Sequence, residues 1–264
     1  MIEQLKNTLN QSSNIAILTG AGISVASGIS AFRTGKNKVW DEETLTYGTY
    51  AFFRDEPVQS WSWYLNRFGS IRSKEPNPAH KALAELEKKA LDDNKNFHLI
   101  TQNIDRLHHK SGMNNIIEIH GNIDHIRCAK KHPTCDHGEP FGSLPFFEGI
   151  MQHFVNNPTL ETLPRCSLCG DFLRPHILWF DEYYDGHSDY QMQSALSCLE
   201  SCDVMLFVGT SFSVGITDIA LRLLLDRNVP FWVINNEPKP PNKPLLKQAH
   251  WIEGKAELLL PRLL

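Results

Sequence analysis

Three stretches of this 264-residue chain combine residue types and spacings that can do chemistry. The first, TGAGISVASGISAFR at residues 19–33, follows an apolar run and is expected to open the first helix. Glycines let a backbone approach a pyrophosphate, and the N–H groups at a helix start favour its charge. The spacing is G-x-G-x5-G rather than the usual dinucleotide fingerprint. No acidic residue ends a second strand about 20 residues on, where a dehydrogenase holds its ribose. The second stretch, TQNIDRLH, places Gln102, Asn103 and Asp105 just past another apolar run, where they can hydrogen-bond sugar hydroxyls or an amide. The third, EIHGNI, sets His120 directly after NIIEI, itself a strand end. An imidazole among such clusters suits a general base.

The cysteines offer a different chemistry. Cys166 and Cys169 form a C-x2-C pair in LPRCSLCGD, which is good spacing for one edge of a tetrahedral zinc site. Their partners are less regular, because Cys128 and Cys135 are separated by six residues in RCAKKHPTCDHG. His132 or His137 could take the place of Cys135. Cys198 and Cys202, at i and i+4 of ALSCLESCD, read as helix-core thiols.

A fourth stretch, SWSWYLNRFGSIRSKEPNPAH, holds Tyr64 and Arg67 three positions apart. Val58, Trp61, Leu65 and Phe68 recur at helical spacing, which predicts an amphipathic helix with that stripe buried. Tyr64 and Arg67 then share a neighbouring face. On residue chemistry alone, Arg67 would lay its stem on the apolar stripe and keep its guanidinium in water.

These residues need elements to position them. Four apolar runs read as buried parallel strands: IAILTGAG from Ile15, FHLITQNID from Phe97, DVMLFVGTS from Asp203 and PFWVINNE from Pro230. Helical patterns such as NPAHKALAELEKKAL lie between them, so the fold class is α/β, a doubly wound parallel sheet. Ligands of such sheets bind outside the carboxyl ends of the strands. Those ends supply Gly20-Ala21-Gly22, Gln102-Asn103, Gly209-Thr210-Ser211 and Asn235-Asn236. Residues 34–75 are aromatic and helical, whereas 121–173 are rich in Cys, His, Pro and Gly, and both break the alternation. The expected organisation is a sheet domain of 1–33, 76–120 and 174–264, with 34–75 and 121–173 forming a smaller inserted lobe.

A composition of 41% hydrophobic and 21% charged residues is that of an ordinary globular chain. A net charge of −4 argues against direct nucleic-acid binding by bulk electrostatics. No apolar run is long enough to span a bilayer, and the N-terminal segment lacks the apolar core of a signal peptide. A cytoplasmic protein without membrane partners is expected, its six cysteines serving as metal ligands or buried thiols.

Taken in order, GAGIS…SGISAFR, TQNID-x-LH, the histidine of IHG, the paired cysteines, GTS and INNE resemble the sirtuin family of NAD-dependent protein deacylases. The resemblance covers nearly the whole chain, from Asn14 to Pro261. It implies a Rossmann-like large domain with a small lobe that bears one structural zinc, held by Cys128, Cys135, Cys166 and Cys169. It also implies NAD as co-substrate and acylated lysine side chains of proteins as partners. By the family pattern Gly20, Ala21, Gly22, Phe32 and Arg33 belong to the cofactor loop, with Phe32 shielding the reactive ribose carbon. Gln102, Asn103, Ile104 and Asp105 would hold the nicotinamide ribose and carboxamide. Gly209, Thr210, Ser211, Asn235, Asn236 and Ala256 would hold the adenosine end. His120 would act as base on a ribose hydroxyl, with Asn103 and Asp105 assisting, to yield nicotinamide, an O-acyl-ADP-ribose and free lysine. Sirtuins that prefer succinyl- and malonyl-lysine carry a Tyr-x-x-Arg pair on this helix, and Tyr64-Leu65-Asn66-Arg67 matches it. Gly48 lies near a small residue that admits the longer acyl chain. Two departures stand out: the wide spacing of Cys128 and Cys135, and Asp181 in HILWFDE, where many members have glycine at the rim of the peptide groove.

A deacylase preferring succinyl or malonyl groups is therefore the leading expectation. Protein mono-ADP-ribosylation would use the same NAD pocket but leave Tyr64 and Arg67 without a task. A non-catalytic NAD sensor would have no need of His120.

Overall fold

The computed structural model describes residues 1–264 except 31–32, 35–38, 41, 131–134, 136–143 and 146–147, with backbone alone for 33–34, 39–40, 144–145 and 148–150. In chain order the first half runs α1 (Ile2–Gln11), β1 (Asn14–Thr19), β2 (Arg33–Thr34), β3 (Val39–Trp40), α2 (Glu42–Tyr47), α3 (Tyr50–Asp55), α4 (Pro57–Phe68), α5 (Pro78–Asp92), β4 (Asn96–Thr101), α6 (Leu107–Lys110) and β5 (Ile116–Glu118). The second half runs β6 (Gly121–Cys128), β7 (Leu144–Pro145), α7 (Glu148–Asn156), β8 (Leu173–Ile177), α8 (Met192–Ser201), β9 (Val204–Val208), α9 (Gly215–Asp226), β10 (Phe231–Asn235), β11 (His250–Glu253) and α10 (Ala256–Leu259).

Six strands form one parallel sheet in the order β11-β10-β9-β1-β4-β5. Its strands are buried on both faces, which is why their sequences are near-continuous apolar runs. Along β1, Ile15 and Ile17 enter one core, and Ala16 and Leu18 enter the other, as the two-residue strand period requires. The first core takes in α1, α5 and α10; the second takes in α8 and α9, with Cys198 and Cys202 buried in it. Burial pushes the Cys198 thiol up to about 12, so it is an inert core thiol. The first strand lies in mid-sheet and the order reverses between β1 and β9. The fold is thus the Rossmann-like doubly wound α/β arrangement, with its switch point at those two strands.

A third core joins α3 and α4 to a small antiparallel sheet, β7-β6-β8. The N-terminus of α4 carries Pro57 in its first turn, where proline is best tolerated. The buried side of α4 runs through Ser60, Trp61, Tyr64 and Phe68, while Val58 and Leu65 are only half-buried. The expected stripe is therefore rotated, and Tyr64 lies in the core rather than beside it. The cause is Trp61, whose indole N–H donates to the Leu173 carbonyl at 2.7 Å and turns that face of α4 onto β8.

Three other features differ from the sequence reading. The glycine-rich stretch forms a 3₁₀ turn, Ala21–Ser27, instead of opening an α-helix, and Gly28 ends it at φ +78°. Two β-branched residues, two serines and an internal glycine give this segment little α-propensity. Strand β11 carries no clear signal, because its HWIE sequence is short and partly exposed. Asp181, to which the sequence assigned no contact, is fixed to the backbone of α3. Its carboxylate accepts from the Tyr50 N–H at 2.6 Å and the Ala51 N–H at 2.9 Å, where the first turn of α3 favours an anion.

The small lobe is tied to the segment after β8 by a buried charge cluster. Glu182 accepts from both terminal nitrogens of Arg174, at 2.7 and 2.8 Å, from Arg127 at 3.2 Å and from the Trp179 N–H at 3.1 Å. Both arginine side chains are 1% exposed. Burial alone would raise the Glu182 carboxyl, but the Arg174 guanidinium and the hydrogen bonds hold it down at about 2. Removing the carboxylate strands two buried cations, a loss of about 3–5 kcal/mol. Glu182→Gln should therefore lower stability by that order in urea unfolding at pH 7; a change below about 1 kcal/mol would show that the cluster is solvated. Because the folded-state value is depressed, the contribution is complete above about pH 4.5 and should be lost as pH falls toward 2.

Candidate functional site

At the switch point the ends of β1 and β9 come into backbone contact. The Gly20 N–H donates to the Val208 carbonyl at 3.0 Å, and the Gly22 N–H donates to the Gly209 carbonyl at 2.8 Å. A Cβ on Gly22 would lie 2.7 Å from the Gly209 backbone. Gly209 itself has φ +61°, and a Cβ there would lie 2.5 Å from the Ile23 nitrogen. Only glycine fits either position. The result is a bare floor for a crevice of about 500 Å³ that runs along the strand ends.

Polar side chains lash the strand ends around this floor. The Gln102 amide donates to Thr210 Oγ1 at 3.3 Å, and the Asn235 amide donates to the Thr210 carbonyl at 2.9 Å. Ser24 is the hub of the opposite wall. Its hydroxyl donates to Asp105 Oδ2 at 2.6 Å and accepts from Asn103 Nδ2 at 3.2 Å, and that same Nδ2 also donates to the Gly20 carbonyl. Asp105 Oδ1 accepts the Leu107 N–H at the start of α6. Burial raises the Asp105 pKa against these two hydrogen bonds. Beneath, Thr101 Oγ1 accepts the Asn103 N–H and bonds Thr19 Oγ1, which in turn meets His108 Nε2 at 3.0 Å.

His120 closes one side of the crevice. Its Nδ1 lies 2.8 Å from the Gln102 carbonyl, so Nδ1 carries the proton and Nε2 is the lone-pair nitrogen. The ring stacks on Tyr184 at 5.8 Å and 16°. Burial holds the His120 imidazole down at about 4, although the bond to Gln102 raises it. It is therefore a neutral, oriented base. Trp63 and Phe68 of α4, with Trp179 and Phe180 after β8, give the crevice an aromatic wall, and Gly48 lines it beside Phe180.

The structure brings most of the sequence-identified residues to this crevice. Ala21, Gly22, Gln102, Asn103, Ile104, His120, Gly209, Thr210, Ser211, Asn235 and Asn236 all line it. Gly20 and Asp105 stand one layer behind, and Ala256 is buried in the core at the start of α10. Phe32 lies outside the described residues, as do His132 and His137, and Arg33 is placed by backbone alone at the start of β2. Tyr64 and Arg67 are not among the lining residues. Tyr64 lies behind Phe68, with ring centroids 5.1 Å apart; its hydroxyl is buried without a hydrogen-bond partner among the described residues, and burial raises its pKa. Arg67 is half-buried one turn on. Sequence reasoning missed Ser24 and Tyr184. Ser24 was visible inside the GAGIS stretch; Tyr184 sits in an aperiodic loop with no signal.

The four cysteines converge away from the crevice. Their Sγ atoms all lie within 4.8 Å of one another, with Cys128–Cys169 and Cys135–Cys166 each at 3.5 Å. Thiolates about 2.3 Å from a tetrahedral zinc are about 3.8 Å apart, so this four-cysteine donor set is compatible with that ion.

Three comparisons agree with this architecture. The Sir2 family profile matches residues 20–215. An NAD-dependent protein deacylase of Thermus thermophilus is 32% identical over 98% of this chain and 94% of its own length. The mitochondrial NAD-dependent protein deacylase sirtuin-5 of Danio rerio is 35% identical, over 94% of this chain and 81% of its own. Among solved structures, a Sir2 homolog–NAD complex superposes with a TM-score of 0.77 at 30% identity, covering 99% of this chain and 91% of that one. A glycine-floored switch point, a neutral histidine at its edge and a four-cysteine lobe thus occur in a chain that belongs to the Sir2 family.

Proposed function

We propose that this protein is an NAD-dependent protein-lysine deacylase that prefers succinyl and malonyl groups to acetyl and carries one structural zinc on its cysteine quartet. The observation that carries the reading is a neutral, oriented His120 at the edge of a crevice whose floor is bare backbone. NAD bound there would supply an electrophilic ribose carbon as nicotinamide leaves. The chain's own groups do the rest. The glycine floor leaves room for a pyrophosphate, and the amide and hydroxyl groups of Gln102, Ser211, Asn235 and Asn236 suit ribose and base edges. Asp105 acts through Ser24, fixing the wall that presents Asn103. His120 Nε2 accepts the proton of a ribose hydroxyl, and its Nδ1–H stays on the Gln102 carbonyl. The aromatic wall excludes water around an acyl-lysine.

The acyl preference rests on the Tyr64-x-x-Arg67 spacing and on the buried Tyr64 hydroxyl, which has no partner among the described residues. Such a donor gains from an acceptor brought to it, and a guanidinium one turn away offers a fork for a carboxylate.

Arg67→Met should lower kcat/KM on a succinyl-peptide at least tenfold, consistent with loss of a charge-assisted pair of about 1.5–3 kcal/mol, and leave an acetyl-peptide nearly unchanged. Tyr64→Phe should shift the same ratio more weakly. Equal losses on both peptides would make Arg67 structural. His120→Ala should keep fold and NAD binding while turnover drops about 10²–10⁴-fold. In the wild type, the acid limb of kcat/KM due to His120 should lie near 4, because only its protonated form is inactive. A limb at about 6.5 would mean an imidazole solvated like a free one. Cys166→Ser and Cys135→Ser should each cost one zinc equivalent per chain by elemental analysis, and lower the unfolding temperature. Full zinc retention in Cys135→Ser would return the fourth ligand to His132 or His137.

A further inference from the structure

A second cluster of metal-ligating side chains lies behind the crevice, apart from the cysteine quartet. His176, on β8, is 1% exposed, and neither of its ring nitrogens has a hydrogen-bond partner among the described residues. His187 is 2% exposed, and its Nε2 is likewise without a partner among the described residues. Three buried ring nitrogens left unmatched in one place are costly, and each asks for an explanation. Their rings stand 4.7 Å apart, and Asp189 joins them: its Oδ2 lies 3.7 Å from His176 Nε2 and 3.8 Å from His187 Nδ1. One ligand atom from each of the three residues falls within 4.8 Å of the others.

We propose that His176, His187 and Asp189 form a second cation site, which takes a divalent transition metal of the zinc type. Donors about 2.0–2.1 Å from a tetrahedral ion stand about 3.4 Å apart, so these side chains need draw in by only a few tenths of an ångström along the two measured edges. The ligand chemistry is that of imidazole and carboxylate, which zinc and cobalt accept and calcium or magnesium do not favour. The His187 tautomer is already suitable. Its Nδ1 accepts the Asp189 N–H at 3.1 Å and therefore carries a lone pair, which a metal would take over from that bond. Glu182 offsets one of the two charges of Arg127 and Arg174, while Asp189 supplies further negative charge and is the partly exposed edge by which an ion enters.

The site has a structural consequence for the crevice. His176 precedes Ile177, which pairs with Gly121, and the Leu178 N–H donates to the His120 carbonyl at 2.9 Å. His187 follows Tyr184 by three residues, and Tyr184 stacks on His120. A cation here pins the loop that carries Tyr184 to the strand beside the base.

The test is cobalt content of the full chain produced in cobalt-supplemented medium and exchanged into metal-buffered solution. Wild type should hold two equivalents per chain, only one of them with thiolate-to-cobalt charge-transfer absorption. His187→Gln and Asp189→Asn should each fall to one equivalent with the thiolate bands intact. A single equivalent in wild type, or two equivalents retained in both variants, would overturn the proposal. In wild type a further reading avoids any variant: pulsed electron paramagnetic resonance with one added equivalent of Cu²⁺ should show two imidazole nitrogens, and fewer than two would overturn it.

Discussion

The contact on which the rest of the site depends is the backbone approach of Gly22 to Gly209. Two parallel strands diverge at the switch point, and the chain segments that leave them touch before they part. No side chain can intervene, so the floor of the crevice is main chain. Groups with side chains are displaced to the walls, where Gln102, Thr210 and Asn235 cross-link the strand ends. The 3₁₀ turn that follows Gly20 then places Ser24 inward, and Ser24 fixes both Asn103 and Asp105. Backbone geometry at two glycines thus sets the floor around which the cross-linked strand ends stand.

The small lobe depends on different physics. Its aromatic wall hangs on a segment, Ile177–Glu182, that is gripped from both sides. Glu182 is held by two buried arginines, and Arg174 lies 3.5 Å over the Trp179 ring. Asp181 fastens the same segment to the start of α3. A glycine at 181 would lack that fastening. Trp179 and Phe180 are therefore presented to the crevice by the anchoring of the neighbouring Asp181 and Glu182.

Much of this was legible in the sequence, and the reasons differ by element. Strands β1, β4, β9 and β10 are buried on both faces, and burial of that kind writes unbroken apolar runs. Strand β11 is short and half-open, so HWIE carries no such run. The helix α4 was legible as a helix, but not its rotation, because Tyr64 counts as amphipathic by type and only contact with Phe68 and Trp61 shows it buried. Strand ends announced Asn103, His120 and Gly209 through position. Ser24 gave no separate signal, since a serine in a glycine-rich turn is the commonest of residues there. Cys135 joins the other three cysteines only in three dimensions, where its thiol falls within the quartet, while His132 and His137 lie outside the described residues. His176 and His187 lie eleven positions apart on unlike elements, a spacing that matches no ligand motif.

The central claim is that the crevice couples cleavage of NAD to removal of an acyl group. It is tested most directly by mass spectrometry of all products from the wild-type protein with NAD and a succinyl-lysine peptide. The account expects one nicotinamide for each succinyl group removed, with the missing mass recovered on ADP-ribose and nothing added to the peptide. Nicotinamide released without peptide, or a peptide that keeps its succinyl group and gains ADP-ribose, would contradict it.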